Sequence, residues 1–191
     1  MGAIFLSASV PVPGRGTYYE SADPFLIQCA VREFVIAVVR TRRIVWGGHP
    51  AITPMIWSIC EDLGVSYTDS VVLYQSKFFA DQYPEENQHF RNVVFVDAVP
   101  DDRAMSLRRM REAMLSRCEL SAAVFIGGME GVQVEFELFR QYHPDAPVVP
   151  VAAPGGAARE LANQTTSIDR ALMFSVDFAR LFHSVLPAAT P

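Results

Sequence analysis

Ala122-Ala123-Val124-Phe125-Ile126-Gly127-Gly128-Met129-Glu130-Gly131-Val132-Gln133-Val134-Glu135 is the stretch that decides the fold. Ala122 to Ile126 is apolar and free of charge, the pattern of a strand buried on both faces. The glycines end it, and the residues from there to about Tyr142 read as a helix. The same succession of strand, turn and helix recurs on both sides. Upstream, Ala3 to Ala8 is an apolar strand and Val10 to Asp23 a loop rich in Pro, Gly and Tyr. Pro24 stands in the first turn of a helix to about Val39, with Phe25, Cys29 and Ile36 as apolar positions and Arg32 interrupting them. Ile44 to Trp46 is a strand closed by Gly47-Gly48, and a helix from about Ala51 to Leu63 stops at Gly64. Val71 to Tyr74 and Asn92 to Val96 are further strands, with Gln75 to Arg91 irregular between them. Asp101 and Asp102 open a helix whose stripe is Leu107, Met110, Met114 and Cys118.

Downstream of the deciding stretch, Val148 to Val151 is a strand, Ala153 to Gly156 a loop and Ala157 to Asn163 a helix. A last helix over about 172–186 is apolar on more than one face, so it packs on the core or forms a dimer surface. Strands without charge alternating with helices predict an α/β fold: a single Rossmann-like, doubly wound domain over 1–191, its sheet mainly parallel and covered on both faces.

Composition narrows the function classes. The chain has 191 residues, 50% of them hydrophobic and 19% charged, which excludes a disordered polypeptide. A net charge of −5 argues against binding nucleic acid through its phosphates. Apolar runs are too short or too broken by Gly and Pro to span a bilayer, and Met1 to Ser7 is not a basic leader, so a cytoplasmic protein without membrane contact is expected. Three cysteines, Cys29, Cys60 and Cys118, do not make a disulfide framework.

Four predicted strand ends carry small or glycine-rich turns: Ser7-Ala8-Ser9, Gly47-Gly48-His49, Gly127-Gly128 with Gly131, and Gly155-Gly156. Ligands bind at the carboxyl ends of parallel strands, where bare amides and helix N-termini favour phosphate. No turn carries a Walker lysine or a clean G-x-G-x-x-G, against ordinary ATPases and NAD dehydrogenases. Glu135 falls at the centre of the helix face formed by Gly131, Leu138, Phe139 and Tyr142, opposite Gln133, Glu137 and Arg140. A carboxylate there needs either a structural partner or a ligand. Arg111, flanking the stripe of the preceding helix, is its expected counterpart. Glu130 in the glycine turn, Lys77 after a strand end and His49 are further candidate ligand contacts. His89, His143 and His183 lack metal-ligand spacing, so neither a metal site nor a cofactor is expected. Ser7 and Ser9 have no recognisable His/Asp pair to make either a nucleophile.

Met110-Arg111-Glu112-Ala113-Met114, the strand Ala122 to Ile126, and Gly127 through Glu135 resemble the core of the "lonely guy" (LOG) phosphoribohydrolases. Those proteins carry R-K-x-x-M and then P-G-G-x-G-T-x-E-E. Ile126, Val132 and Val134 stand where that pattern has proline, threonine and its first glutamate. The turns Leu6 to Pro11, Gly47 to Pro54 and Pro150 to Ala158 resemble the wider SLOG superfamily, in particular the branch found beside TIR and sirtuin-type domains in bacterial antiviral systems. The resemblance implies a sensor of a nucleotide-derived ligand, ADP-ribose-like or a cyclic ADP-ribose isomer. Its output would pass to a separate effector protein, and a homo-oligomer is expected. It equally implies an enzyme alternative, in which Arg111 and Glu135 serve hydrolysis of an N-glycosidic bond in a nucleoside 5′-monophosphate. Single-stranded DNA binding, by likeness to DNA-processing protein A, is disfavoured by the acidic charge.

Overall fold

The computed structural model describes residues 2–64 and 70–186. The first half of the chain forms β1 (Ala3–Ser9), α1 (Tyr18–Ser21), α2 (Pro24–Val38), β2 (Arg43–Trp46), α3 (Thr53–Asp62) and β3 (Val71–Ser76). Two short 3-10 segments, Lys77–Gln82 and Glu85–His89, lead to β4 (Val93–Val96) and α4 (Arg103–Leu115). Then come β5 (Leu120–Gly127), α5 (Glu130–Tyr142), β6 (Val148–Val151), α6 (Ala157–Gln164), α7 (Arg170–Met173) and α8 (Phe178–Val185).

The six strands form one Rossmann-like sheet in the order β4-β3-β2-β1-β5-β6, every neighbouring pair parallel. Chain order reverses between β1 and β5, and such a switch point opens a crevice at the carboxyl edge of the sheet. In β1 the period of two sorts side chains onto two cores. Ile4 and Leu6 join the core beneath α2, α3 and α8, while Ala3 and Phe5 join the core beneath α4, α5 and α6. The next residue on Phe5's side is Ser7, which places its hydroxyl on the α4–α5 face just where the strand runs out.

Asp23 caps α2 by accepting from the amides of Phe25 and Leu26, with Pro24 in the first turn. The buried face of α2 is Ile27, Ala30, Val31, Phe34, Val35 and Val38; Phe25 is 69% exposed. Of the Phe25, Cys29 and Ile36 stripe read from the sequence, Cys29 and Ile36 flank that face, partly buried against the core, and only Phe25 is left exposed. This helix is apolar on so many positions that more than one stripe fits it, and packing on the sheet selects among them. In α4, Met110, Met114 and Leu115 are buried, but Cys118 lies past the helix end and is exposed. The last helix is also corrected: Ser175 to Asp177 divide it into α7 and α8. Asp177 caps α8 by accepting from Arg180 N–H, and a cap residue ends one helix as it starts another. Phe178, Leu181 and Phe182 are buried, and the rings of Phe182 and Phe34 on α2 meet edge to face at 5.5 Å.

Candidate functional site

A cavity of about 440 Å³ opens where β1, β2 and β3 end, beside α4 and α5, within the ordinary size range of small-molecule sites. Eight of the residues singled out from sequence line it: Ser7, Ser9, Gly47, Gly48, His49, Arg111, Gly131 and Glu135. Two strand ends, those of β1 and β2, and the helices α4 and α5 bring them together across more than 120 positions of chain.

Its polar centre is built on Glu135. Val132, Phe136 and Phe139 turn toward the sheet at spacings of four and three, and Glu135 falls on the same side of α5. Its Oε2 accepts from Ser7 Oγ at 2.6 Å and its Oε1 from Arg111 Nε at 3.0 Å. The side chains of Arg111 and Glu135 are each only 16% exposed. Arg111 reaches this point because it sits within the sheet-facing stripe of α4, next to Met110 and one turn before Leu115. Gly131 leaves room for it: a Cβ there would lie 2.7 Å from Arg111 Nη2. Tyr142, expected on the same buried face of α5, is instead exposed at the helix end. A carboxylate oxygen carries two lone pairs, so each oxygen of Glu135 retains acceptor capacity beyond its internal partner.

On the β2 side, the carbonyl of His49 accepts from the amides of Ile52 and Thr53 and from the Thr53 hydroxyl. Its ring Nδ1 accepts from Ala51 N–H at 3.2 Å, which leaves Nε2 as the donor of the neutral ring. Burial first, and then the charge of Arg15, hold the imidazole below its ordinary pKa. Trp46, 1% exposed, also lines the cavity, and its indole N–H has no acceptor among the described residues. Tyr83 is fixed in the wall by donating to the Ser76 carbonyl at 2.7 Å, and burial raises its pKa.

Arg15 and Arg103 line the cavity and were not anticipated. Neither forms an ion pair with a carboxylate among the described residues. The signals were present: Arg15 lies between two glycines in the first strand-to-helix loop, and Arg103 opens α4 directly after its cap, Asp102. A loop arginine and a first-turn arginine are read by default as solvated, and only the sheet order brings their loops to one edge.

Six candidates do not line the cavity. Lys77 pairs with Asp97 at 2.7 Å in the open, both side chains more than half exposed. Glu130 is exposed on the first turn of α5, beside the loop at Gly16. Gly127, Gly128, Gly155 and Gly156 instead pack two turns against each other. Ala157 N–H donates to the Gly128 carbonyl at 2.9 Å, and Gly156 N–H to Ser21 Oγ at 3.2 Å. At Gly155, with φ +82°, a Cβ would collide with the Ser21 carbonyl. Among the described residues no group of three His, Cys, Asp or Glu side chains is placed to hold a metal ion, and no helix is long and apolar enough to cross a membrane.

Comparison with known families matches residues 17–186 to the SLOG cluster3 family. The match includes Arg103, Arg111, Gly131 and Glu135, and begins after Ser7, Ser9 and Arg15. Among solved structures, the X-ray structure of TM1055, a structural genomics target, superposes with a TM-score of 0.58 at 14% identity, over 96% of this chain and 99% of that one. At that identity the likeness is one of fold. No curated protein matches the chain.

Proposed function

Since the chain belongs to the SLOG cluster3 family, we propose that it binds a nucleotide-derived ligand, of ADP-ribose or cyclic ADP-ribose type, as a sensor. The observation that carries the reading is electrostatic. Arg15, Arg103 and Arg111 face a cavity with one carboxylate, Glu135, in a protein whose overall charge is −5. A concave, partly desolvated surface of one sign attracts the opposite sign, and here the complement is an anion. Guanidinium groups bind phosphate oxygens in two-point geometry, and the Glu135 carboxylate accepts from sugar hydroxyls through the lone pairs Ser7 and Arg111 leave open. The N-terminus of α5, reaching the cavity at Met129 and Gly131, adds a favourable dipole for negative charge. In this reading the signal passes to a separate effector protein within a bacterial antiviral response, from a cytoplasmic homo-oligomer.

The ion pair itself supports a second reading, an N-glycosidic hydrolase. There Arg111 holds the Glu135 side chain in place beside the anomeric carbon. The carboxylate stabilises the oxocarbenium-like transition state, or takes a proton from the attacking water as the C–N electron pair leaves with the base. That both oxygens of Glu135 already hold partners favours a fixed acceptor over a base awaiting a proton.

One experiment separates the two. Melting temperature is measured against AMP, NAD, ADP-ribose and cyclic ADP-ribose isomers, followed by chromatography of each mixture. The sensor reading expects a rise with the ligand recovered intact, since binding to the folded state alone raises stability by mass action. Free base in the mixture establishes the hydrolase instead. No shift and no product across the series overturns both.

A further inference from the structure

The cavity has two chemically different ends, and one helix sets the distance between them. Arg103, Leu107, Met110 and Arg111 line it from a single side of α4. The two arginines are eight residues apart, roughly 12 Å along the axis at helical rise. At the Arg111 end the charge is already balanced: Glu135 accepts from Arg111 and Ser7, so this end offers acceptors to neutral hydroxyls. At the other end the Arg103 guanidinium lies 5.7 Å from the centroid of the Phe79 ring and has no carboxylate partner among the described residues. Between the ends, α4 presents only Leu107 and Met110. An exposed cation–π contact is weak, and a phosphate displaces it with charge-assisted bonds that a guanidinium makes two at a time. Arg15, also without an ion pair among the described residues, enters the same cavity from the loop after β1.

Resting on the nucleotide reading above, we propose that Arg103 sets which nucleotides are accepted. It takes an anionic group lying well beyond the sugar held at Glu135, so the ligand class is nucleotides with a diphosphate bridge or a second phosphate. A nucleoside 5′-monophosphate carries its phosphate one methyleneoxy link from the ribose ring and cannot occupy both ends. A diphosphate-bridged molecule reaches from one to the other. Arg103 is thus a specificity residue, separate from the Ser7, Arg111 and Glu135 cluster that receives the sugar.

The test titrates ADP-ribose and AMP by calorimetry into the unaltered protein and into Arg103→Gln and Arg103→Lys. Arg103 is exposed and caps nothing, so both variants fold, which an unchanged melting temperature without ligand verifies. The unaltered protein is expected to bind ADP-ribose at least about tenfold more tightly than AMP, as one good charged contact provides. Arg103→Gln is expected to erase most of that ratio while the AMP affinity moves less than about twofold, and Arg103→Lys to keep part of it, having the charge without the fork. Equal affinities for the two nucleotides in the unaltered protein, or equal weakening of both by Arg103→Gln, overturns the assignment of Arg103 and leaves the nucleotide reading standing. Binding of neither nucleotide overturns the nucleotide reading, and this proposal with it.

Discussion

Replacing Glu135 by glutamine conserves volume and one carbonyl oxygen and removes the charge. In the structure this carboxylate receives Arg111 Nε at 3.0 Å and Ser7 Oγ at 2.6 Å, with both members of the ion pair largely buried. A hydrogen bond to a charged group contributes about 1.5–3 kcal/mol and a neutral one about 0.5–1.5 kcal/mol, so loss of charge alone costs about 1 kcal/mol. Arg111 is then a largely buried cation without its counter-charge, which brings the total to about 2 kcal/mol. In a chain of this length each kcal/mol moves the melting temperature by about 2–4 °C, so Glu135→Gln is expected to melt roughly 4–8 °C lower. Urea unfolding followed by circular dichroism, carried through a cycle with Arg111→Gln and the double variant, isolates the pair. The coupling is expected at about 1–2 kcal/mol, because the second substitution removes the cation that the first left unpaired. An unchanged or raised melting temperature, with coupling below about 0.5 kcal/mol, refutes the reasoning. It would mean that packing of α4 on α5 holds these groups, and that their bonds to each other add no stability.

Gly155→Ala is expected to cost more than about 3 kcal/mol, from a strained left-handed backbone combined with a collision against the Ser21 carbonyl. Gly14→Ala, at the same φ of +82° but with nothing within 4 Å, isolates the backbone part at about 1–2 kcal/mol. Denaturation midpoints of the two variants check the difference. Lys77, by its hydrogen bond and its charge, holds the Asp97 carboxyl below its usual range. The pair therefore stabilises above the ordinary carboxylate range and is lost as pH falls through the depressed value. Lys77→Ala is expected to move Asp97 upward in an NMR titration while leaving nucleotide binding unchanged; weakened binding would show that Lys77 reaches the ligand. His49 lies below its ordinary pKa through burial and then through Arg15, so the folded state binds fewer protons and this histidine's contribution to stability declines as pH falls below the usual imidazole range. Arg15→Gln is expected to raise the His49 pKa in the same kind of titration, and an unmoved value contradicts the approach of Arg15 to the cavity.

Much of the fold and part of the site are legible along the chain because they depend on neighbours in sequence. The charge-free run Ala122 to Ile126 reads as a strand buried on both faces because it is short, carries branched and aromatic residues and is ended by Gly127-Gly128. Asp23 before Pro24 and Asp102 before Arg103 start helices through bonds that reach only two or three residues ahead. The same locality puts Glu135 on the side of α5 that carries Val132, Phe136 and Phe139. The choice among several apolar stripes in α2 was not local, because any of them satisfies the helix and only contact with the sheet distinguishes them. Nor was the break at Ser175 to Asp177, where a continuous apolar pattern concealed a cap.

Local chemistry by itself thus determined the strand–helix alternation, the glycine turns at the strand ends, and Arg111 and Glu135 as charges set among apolar neighbours. Tertiary structure alone decided which turns share a cavity. The order β4-β3-β2-β1-β5-β6 puts the ends of β1, β2 and β3 beside α4 and α5, and this brings Ser7, Arg15 and Arg103 to Glu135's cavity while leaving Gly155, Gly156 and Lys77 outside it. The reason is physical. Hydrogen bonds within a helix or turn couple residues a few positions apart, whereas strand order is set by burying both faces of the whole sheet, a sum over every element at once.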